Sequence, residues 1–215
     1  MNQGLLITFE GPEGAGKSTQ IARLAARLQG EGRSVVVTRE PGGTPLAEKL
    51  RNIVKYHKDG EVLYDETELL LLAASRAQHV RCRIMPALKN REIVLCDRFT
   101  DSTLAYQGYG RGLNLEQLRH LNNFATGGLV AALTILLDLP VETGLARSAG
   151  RDAAKQAADR LESAGLAFHH RVRTGFLTLA KEEPQRIRTF DATLDADTLE
   201  LQIWNVVNEL IQKIC

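Results

Sequence analysis

Cysteine is scarce in this chain. Cys82, Cys96 and Cys215 are the only three in 215 residues, and no CxxC spacing occurs. An odd number without paired spacing excludes a disulfide framework or a zinc ribbon and fits reduced thiols in the cytoplasm. Excess charge is also missing. The formal net charge is +1, so nothing global draws the chain to nucleic acid or acidic membranes. No apolar run approaches the roughly eighteen residues of a membrane span. Met1 to Gly4 lead straight into an apolar stretch that reads as a first strand, so no signal peptide is expected. There is no internal repeat, low-complexity tract or interdomain linker. What remains is 44% hydrophobic and 25% charged, the balance of a globular protein, at a length that suits one α/β domain over residues 1–215.

The chain is organised around Gly11-Pro12-Glu13-Gly14-Ala15-Gly16-Lys17-Ser18, which matches G-x-x-x-x-G-K-[ST] at every fixed position. Leu5 to Phe9 before it read as a buried strand. Ile21, Leu24, Ala25 and Leu28 after it form the apolar stripe of a helix. Strand, glycine loop and helix are the context that this phosphate-binding pattern needs. Glycines let the backbone N–H groups turn inward, and the helix N-terminus favours an anion. Lys17 is placed to reach the β- and γ-phosphates and Ser18 to ligate Mg²⁺; Thr19 follows in the first helical turn.

Residues 33–39 read as a second strand, which completes a βαβ unit and implies a parallel sheet. Pro45 suits the first turn of a helix carrying Leu46, Leu50, Ile53 and Val54. One long buried helix is expected from about Glu66 to Lys89, kinked or ended by Pro86. Residues 93–97 form a third strand, with Asp97 at the carboxyl end where open α/β sheets bind ligands. Residues 101–112 grow glycine-rich, and Asn114 caps a helix that Gly127 stops. Residues 133–138 are a fourth strand, and a helix from Pro140 runs to about Arg147. Residues 148–160 carry no stripe and are expected to be a mobile lid. A helix over 161–181, a weak edge strand at 186–190 and a helix over 196–213 complete a three-layer α/β/α fold with a five-stranded parallel sheet.

A phosphate-binding loop names a nucleotide and not a reaction. A GTPase switch needs NKxD and a DxxG, and neither occurs. A small kinase fits the length better. Arg51, Arg76 and Arg98 are expected to converge at the carboxyl edge of the sheet, where several guanidiniums suit an acceptor that is itself a phosphate. For Arg39 and Arg51 the plain alternative is an ordinary ion pair.

At this point the chain resembles bacterial thymidylate kinases. The likeness rests on residues 6–20, Arg39-Glu40-Pro41-Gly42-Gly43-Thr44, Asp97-Arg98-Phe99 and the run from Asp101 to Gly108. Glu68-Leu69-Leu70-Leu71 with Ala74-Ser75-Arg76, and Asp159-Arg160-Leu161-Glu162, add to it. Together these span nearly the whole chain in order. The resemblance implies a P-loop NTPase fold, transfer of the ATP γ-phosphoryl to dTMP with Mg²⁺, and a cytoplasmic homodimer. It implies that Lys17, Ser18 and the backbone of Gly11, Pro12, Gly14, Ala15 and Gly16 hold ATP, with Arg147 beside it. Glu13 matches the loop acid near the acceptor sugar and metal, Arg98 the clamp on the acceptor phosphate, and Asp97 a holder of metal-bound water. Arg76 matches the arginine aimed at the thymine edge. Ser102, Thr103, Tyr106 and Gln107 match the lining of the base and deoxyribose, with Glu40, Pro41 and Arg51 on the same side.

The chain departs from the pattern in three places. Ala15 stands in a loop that in some relatives holds an arginine, so Arg151 or Arg160 of the lid is expected to supply that charge. Leu72 replaces the aromatic residue that stacks on thymine. His169 and His170 read as surface helix residues. Two other readings stay open. A deoxynucleoside kinase would use Glu40 as a general base toward a neutral 5′-hydroxyl. A non-catalytic nucleotide-binding protein would bind ATP without turnover.

Overall fold

The structure, a computed structural model, describes residues 4–57, 60–152 and 164–214. Five parallel strands form its centre: β1 (Leu5–Glu10), β2 (Val35–Arg39), β3 (Ile93–Asp97), β4 (Leu133–Asp138) and β5 (Ile187–Asp191). They lie in the order β2-β3-β1-β4-β5, so β1 and β3 sit centrally and β5 takes an edge, as expected. The register pairs Phe9 with Asp97 and Glu10 with Leu136. The ends of β1 and β3 therefore finish side by side.

Alternation along the strands sorts their side chains onto two faces. Leu5, Ile7 and Phe9 pack with Leu24 and Leu28 of α1 (Lys17–Gly30) and with Ile203 and Val207 of α9 (Ala196–Ile214). Leu6, Val94 and Cys96 face the other way, toward Val80 and Ile84. Leu136 meets Tyr106 and, from α8 (Leu166–Glu182), Phe168, Val172, Phe176 and Leu179. Helices thus cover both faces, which makes the fold the three-layer α/β/α arrangement expected from the alternating pattern.

Local chemistry explains the boundaries of two helices. Thr44 caps α2 (Pro45–Tyr56) by accepting from the N–H of Ala47 at 3.3 Å. Asn114 does the same for α6 (Leu115–Thr126) through Gln117 at 3.0 Å, and Gly127 ends that helix at φ 64°.

The long helix expected from Glu66 is divided. It runs as α3 (Asp65–His79), widens to a π-turn over Val80–Ile84 and resumes as α4 (Met85–Lys89). Pro86 has no N–H to donate to the carbonyl of Cys82, so the regular ladder fails there. The segment past β3 is also helical, as α5 (Thr100–Thr103) and a π-helix over Leu104–Gly110. Its glycines serve packing: a Cβ at Gly108 would overlap Leu115, and one at Gly110 would overlap Phe168. α7 (Val141–Asp152) continues past Arg147 into the stretch expected to be a lid. Of the two histidines expected at the surface, His170 is exposed and its Nε2 stands 3.0 Å from Glu142, while His169 is buried. Adjacent residues point to different sides of a helix, and here one side is core.

Candidate active site

The loop after β1 owes its shape to left-handed glycines. Gly11, Gly14 and Gly16 have φ of 132°, 71° and 87°, a region closed to most side chains. Gly14 also lies against Gly144 of α7. A Cβ on Gly14 would overlap the Gly144 carbonyl, and a Cβ on Gly144 would overlap the Glu13 carbonyl. Ala15 is buried, and Thr19 is exposed in the first turn of α1. Lys17 folds back over the loop, with Nζ donating to the carbonyls of Pro12 at 2.9 Å and Gly11 at 3.3 Å. Burial, then the nearby Arg98 charge, lowers its pKa. Ser18 donates its hydroxyl hydrogen to Asp97 at 3.1 Å. Both lie on a cleft of about 510 Å³ that Ile21, Val37 and Thr38 also line. Two hard oxygen ligands beside a phosphate cradle fit Mg²⁺, which keeps most of its waters and takes few protein ligands.

Arg98 follows β3 with φ 71°, a left-handed backbone on a bulky residue. Its side chain is only 14% exposed. Nη1 donates to the Gly11 carbonyl at 3.0 Å and to Ser102 Oγ at 3.1 Å. Nη2 donates to Glu13 at 2.6 Å and to the Tyr106 hydroxyl at 3.1 Å. Burial would raise the Glu13 carboxyl, but Arg98, then Lys17 and Lys55, hold it down at about 2. Burial pushes the Tyr106 hydroxyl far up, so it is a neutral donor, 3.3 Å from Glu13.

Under this cluster lies Glu10, with no exposure. Burial, then the Asp101 charge, raises its carboxyl to about 7, against the pull of Arg98 and the hydrogen bonds from Ser102 and Phe99.

Arg76 is 4% exposed. Nε donates to Glu40 at 2.7 Å and Nη2 to the Phe99 carbonyl at 3.0 Å. Nη1 donates to Thr103 at 2.8 Å and to Asn122 at 2.5 Å. His79, one turn on, stands 3.0 Å from the other Glu40 oxygen and 2.6 Å from Thr38 Oγ1. Burial opposes charge on Glu40, but Arg76 and then His79 keep its pKa below the ordinary value.

The remaining expected residues are dispersed around these clusters. Arg51 donates to the Pro41 carbonyl at 2.8 Å, which places it beside Glu40. Gln107 is buried and donates to Glu68 at 2.7 Å. Leu72 is 9% exposed. Arg147 donates to the Ala192 carbonyl at 3.2 Å. Arg39 takes the plain alternative, pairing with Glu48 on the surface at 3.1 Å. The Arg151 side chain and the whole of Arg160 lie outside the described residues.

Glu10, His79 and Asn122 were not among the expected residues. A carboxylate ending an apolar strand just before the loop was a readable signal for Glu10. The i, i+3 spacing from Arg76 was one for His79. Asn122 reaches Arg76 from a separate helix and carries no local signal.

A phosphate-binding loop opposed by a buried arginine–carboxylate cluster, at the strand ends of a parallel sheet, defines a P-loop nucleotide-binding protein of the small-kinase type. The family profile for thymidylate kinase matches residues 9–203. The thymidylate kinase of Deinococcus radiodurans is 55% identical over 210 residues, 97% of this chain and 98% of that one. That of Thermomicrobium roseum is 55% identical over 207 residues, 96% of each. The solved thymidylate kinase from Ehrlichia chaffeensis superposes with a TM-score of 0.75 at 33% identity, covering 95% of this chain and 98% of that one. The chain belongs to the thymidylate kinase family.

Proposed function

We propose that this site phosphorylates dTMP to dTDP at the expense of ATP, the reaction of the family, with Lys17 on the donor side and Arg98 on the acceptor side. One observation carries the assignment. Lys17 Nζ and Arg98 Nη1 donate to the same carbonyl oxygen, that of Gly11, at 3.3 and 3.0 Å. A γ-phosphate on the lysine and an acceptor phosphate on the arginine would therefore be neighbours. Holding the two in line is the main task in phosphoryl transfer, which otherwise needs charge stabilisation. Glu13 lies beside both cations and lowers their mutual repulsion until phosphates arrive.

An acceptor phosphate is already ionised and needs cations more than a general base. Glu40 is committed to Arg76 and His79, which disfavours the deoxynucleoside-kinase reading. Ser18 and Asp97 would hold Mg²⁺, which offsets the charge of the donor phosphates when bound. Ser102 and Tyr106 would meet the acceptor sugar. Arg76, with most of its donors already engaged, would offer the base one remaining N–H beside Leu72. Arg147 and the lid over 148–160, with Arg151 or Arg160, would close the donor side.

A homodimer in the cytoplasm suits the remaining surface. Leu46 and Ile53 of α2, Leu70 of α3 and Phe124 of α6 are 49%, 44%, 59% and 83% exposed, and these helices pack side by side. Apolar exposure on adjacent helices marks an association surface. No helix among the described residues is long and apolar enough to cross a membrane.

ADP release measured across nucleoside monophosphates and thymidine tests the reading. dTMP should be the best acceptor and thymidine inert. Turnover of thymidine, or ATP binding without turnover on any acceptor, would overturn it.

A further inference from the structure

β1 is apolar from Leu5 to Phe9 except for Thr8 and then ends, at full burial, in the carboxylate of Glu10. The Arg98 guanidinium is 4.0 Å from it, beyond hydrogen-bond reach. The carboxylate is used on a stretch of backbone instead. One oxygen accepts the N–H of Phe99 at 2.7 Å and that of Ser102 at 3.2 Å. The other accepts the Ser102 hydroxyl at 2.5 Å. The N–H of Arg98 itself goes to the Phe9 carbonyl at 2.9 Å. Consecutive residues of β1 thus hold the chain on both sides of the one strained backbone in the site, Arg98 at φ 71°. Without Glu10 the Phe99 N–H would be buried and unpaired, and Ser102 would lose its link to β1, leaving α5 tied to the sheet through Asp101 and Thr134 of β4.

The same strand end continues directly into the loop whose Gly11 carbonyl takes both Lys17 and Arg98. We propose that Glu10 is a positioning residue that sets the acceptor clamp against the donor loop, by fixing the backbone of residues 98–102 in the conformation that aims Arg98 at the acceptor phosphate. The proposal rests on the reading of Arg98 as that clamp. Glu10 touches neither substrate, and its effect runs through the turn it anchors.

A positioning role separates from a structural one by which substrate is affected. Glu10→Asp keeps a carboxyl but is one methylene too short to reach both N–H groups. Glu10→Gln keeps the accepting oxygen at full length. Glu10→Asp should raise the dTMP KM at least about fivefold while the ATP KM stays within about twofold, and Glu10→Gln should return the dTMP KM to within about twofold of the parent. Glu10→Ala should resemble Glu10→Asp; should it fail to fold, the other two decide. In an Arg98→Ala background, Glu10→Asp should add no further loss toward dTMP, because the two act through one group. A rise in both KM values together, a lower Tm with unchanged kinetics, or full additivity with Arg98→Ala would overturn the proposal. If Arg98→Ala alone shows no selective loss toward dTMP, the clamp reading falls first and the proposal with it.

Discussion

Replacing Arg98 separates what its side chain does from what its backbone does. Its φ of 71° lies in the left-handed region. For a residue with a Cβ this conformation costs roughly 1–2 kcal/mol, and glycine adopts it freely. Glycine carries an opposing loss of roughly 0.5–1 kcal/mol, because its unfolded chain has more freedom to give up. Arg98→Ala and Arg98→Gly remove the same four guanidinium hydrogen bonds, to Gly11, Ser102, Glu13 and Tyr106. Those losses cancel in the comparison. Arg98→Gly should therefore be the more stable by about 1 kcal/mol, roughly 2–4 °C in Tm for a chain of this size. Both variants should lose at least about tenfold in kcat/KM for dTMP, since a charge-assisted contact is worth roughly 1.5–3 kcal/mol. Urea unfolding and calorimetry give the first quantity, initial rates the second. An alanine variant as stable as the glycine variant would show that the turn relaxes once the side chain is gone. The backbone geometry would then follow from the guanidinium contacts and not from β1.

Four further outcomes are expected. Lys17→Ala should fold and lose nearly all phosphoryl transfer; retention of more than about a tenth of kcat, a loss of only ~1.4 kcal/mol, would remove the lysine from the donor role. Glu10 has its carboxyl raised from 4.5 to about 7, so its contribution to stability is present below pH 4.5 and lost as pH rises to about 7. Glu10→Gln, a permanently neutral mimic, should gain on the parent across that window by up to roughly 3 kcal/mol; a Tm difference that stays constant from pH 5 to 8 would contradict the shift. Leu72→Phe should lower the dTMP KM by about two- to tenfold through stacking, less where the larger ring strains a site that is already 9% exposed; altered stability with unchanged dTMP KM and dUMP selectivity would make Leu72 plain core. Arg151→Ala and Arg160→Ala are expected to lower kcat, and to be read beside ATP-dependent protection of the segment from proteolysis. Full kcat in both would place the transferring charge on other groups.

Much of this molecule was readable as text because its signals are local. The loop is a short pattern with strand and helix on either side, and the strands other than β5 are mostly apolar runs closed by polar or glycine residues. Arg98 could be singled out because it directly follows a strand end. The interior of the site was harder to read, for a topological reason. Arg76 is held by Glu40, Phe99, Thr103 and Asn122, which lie on three separate segments. No spacing rule connects residues that only the sheet order brings together. The π-turns failed differently. Pro86 announced a break, but whether a break becomes a kink, an end or a wider turn depends on packing, here of Val80 and Ile84 beneath the sheet. Gly108 and Gly110 stood out only as part of a glycine-rich run, and their neighbours Leu115 and Phe168 show that they are small to let helices approach.

The facing pair Gly14 and Gly144 bears on any attempt to rebuild this enzyme. Each is denied a side chain by the other segment's backbone, so no rotamer change can relieve an added methyl. Two alanines would not compensate each other, because each meets a carbonyl and not the other's Cβ. A chimera that swaps the nucleotide loop between relatives should therefore carry α7 with it, and a library that randomises either glycine should return mostly inactive clones. The two segments lie 130 residues apart in the chain yet must be inherited as one module.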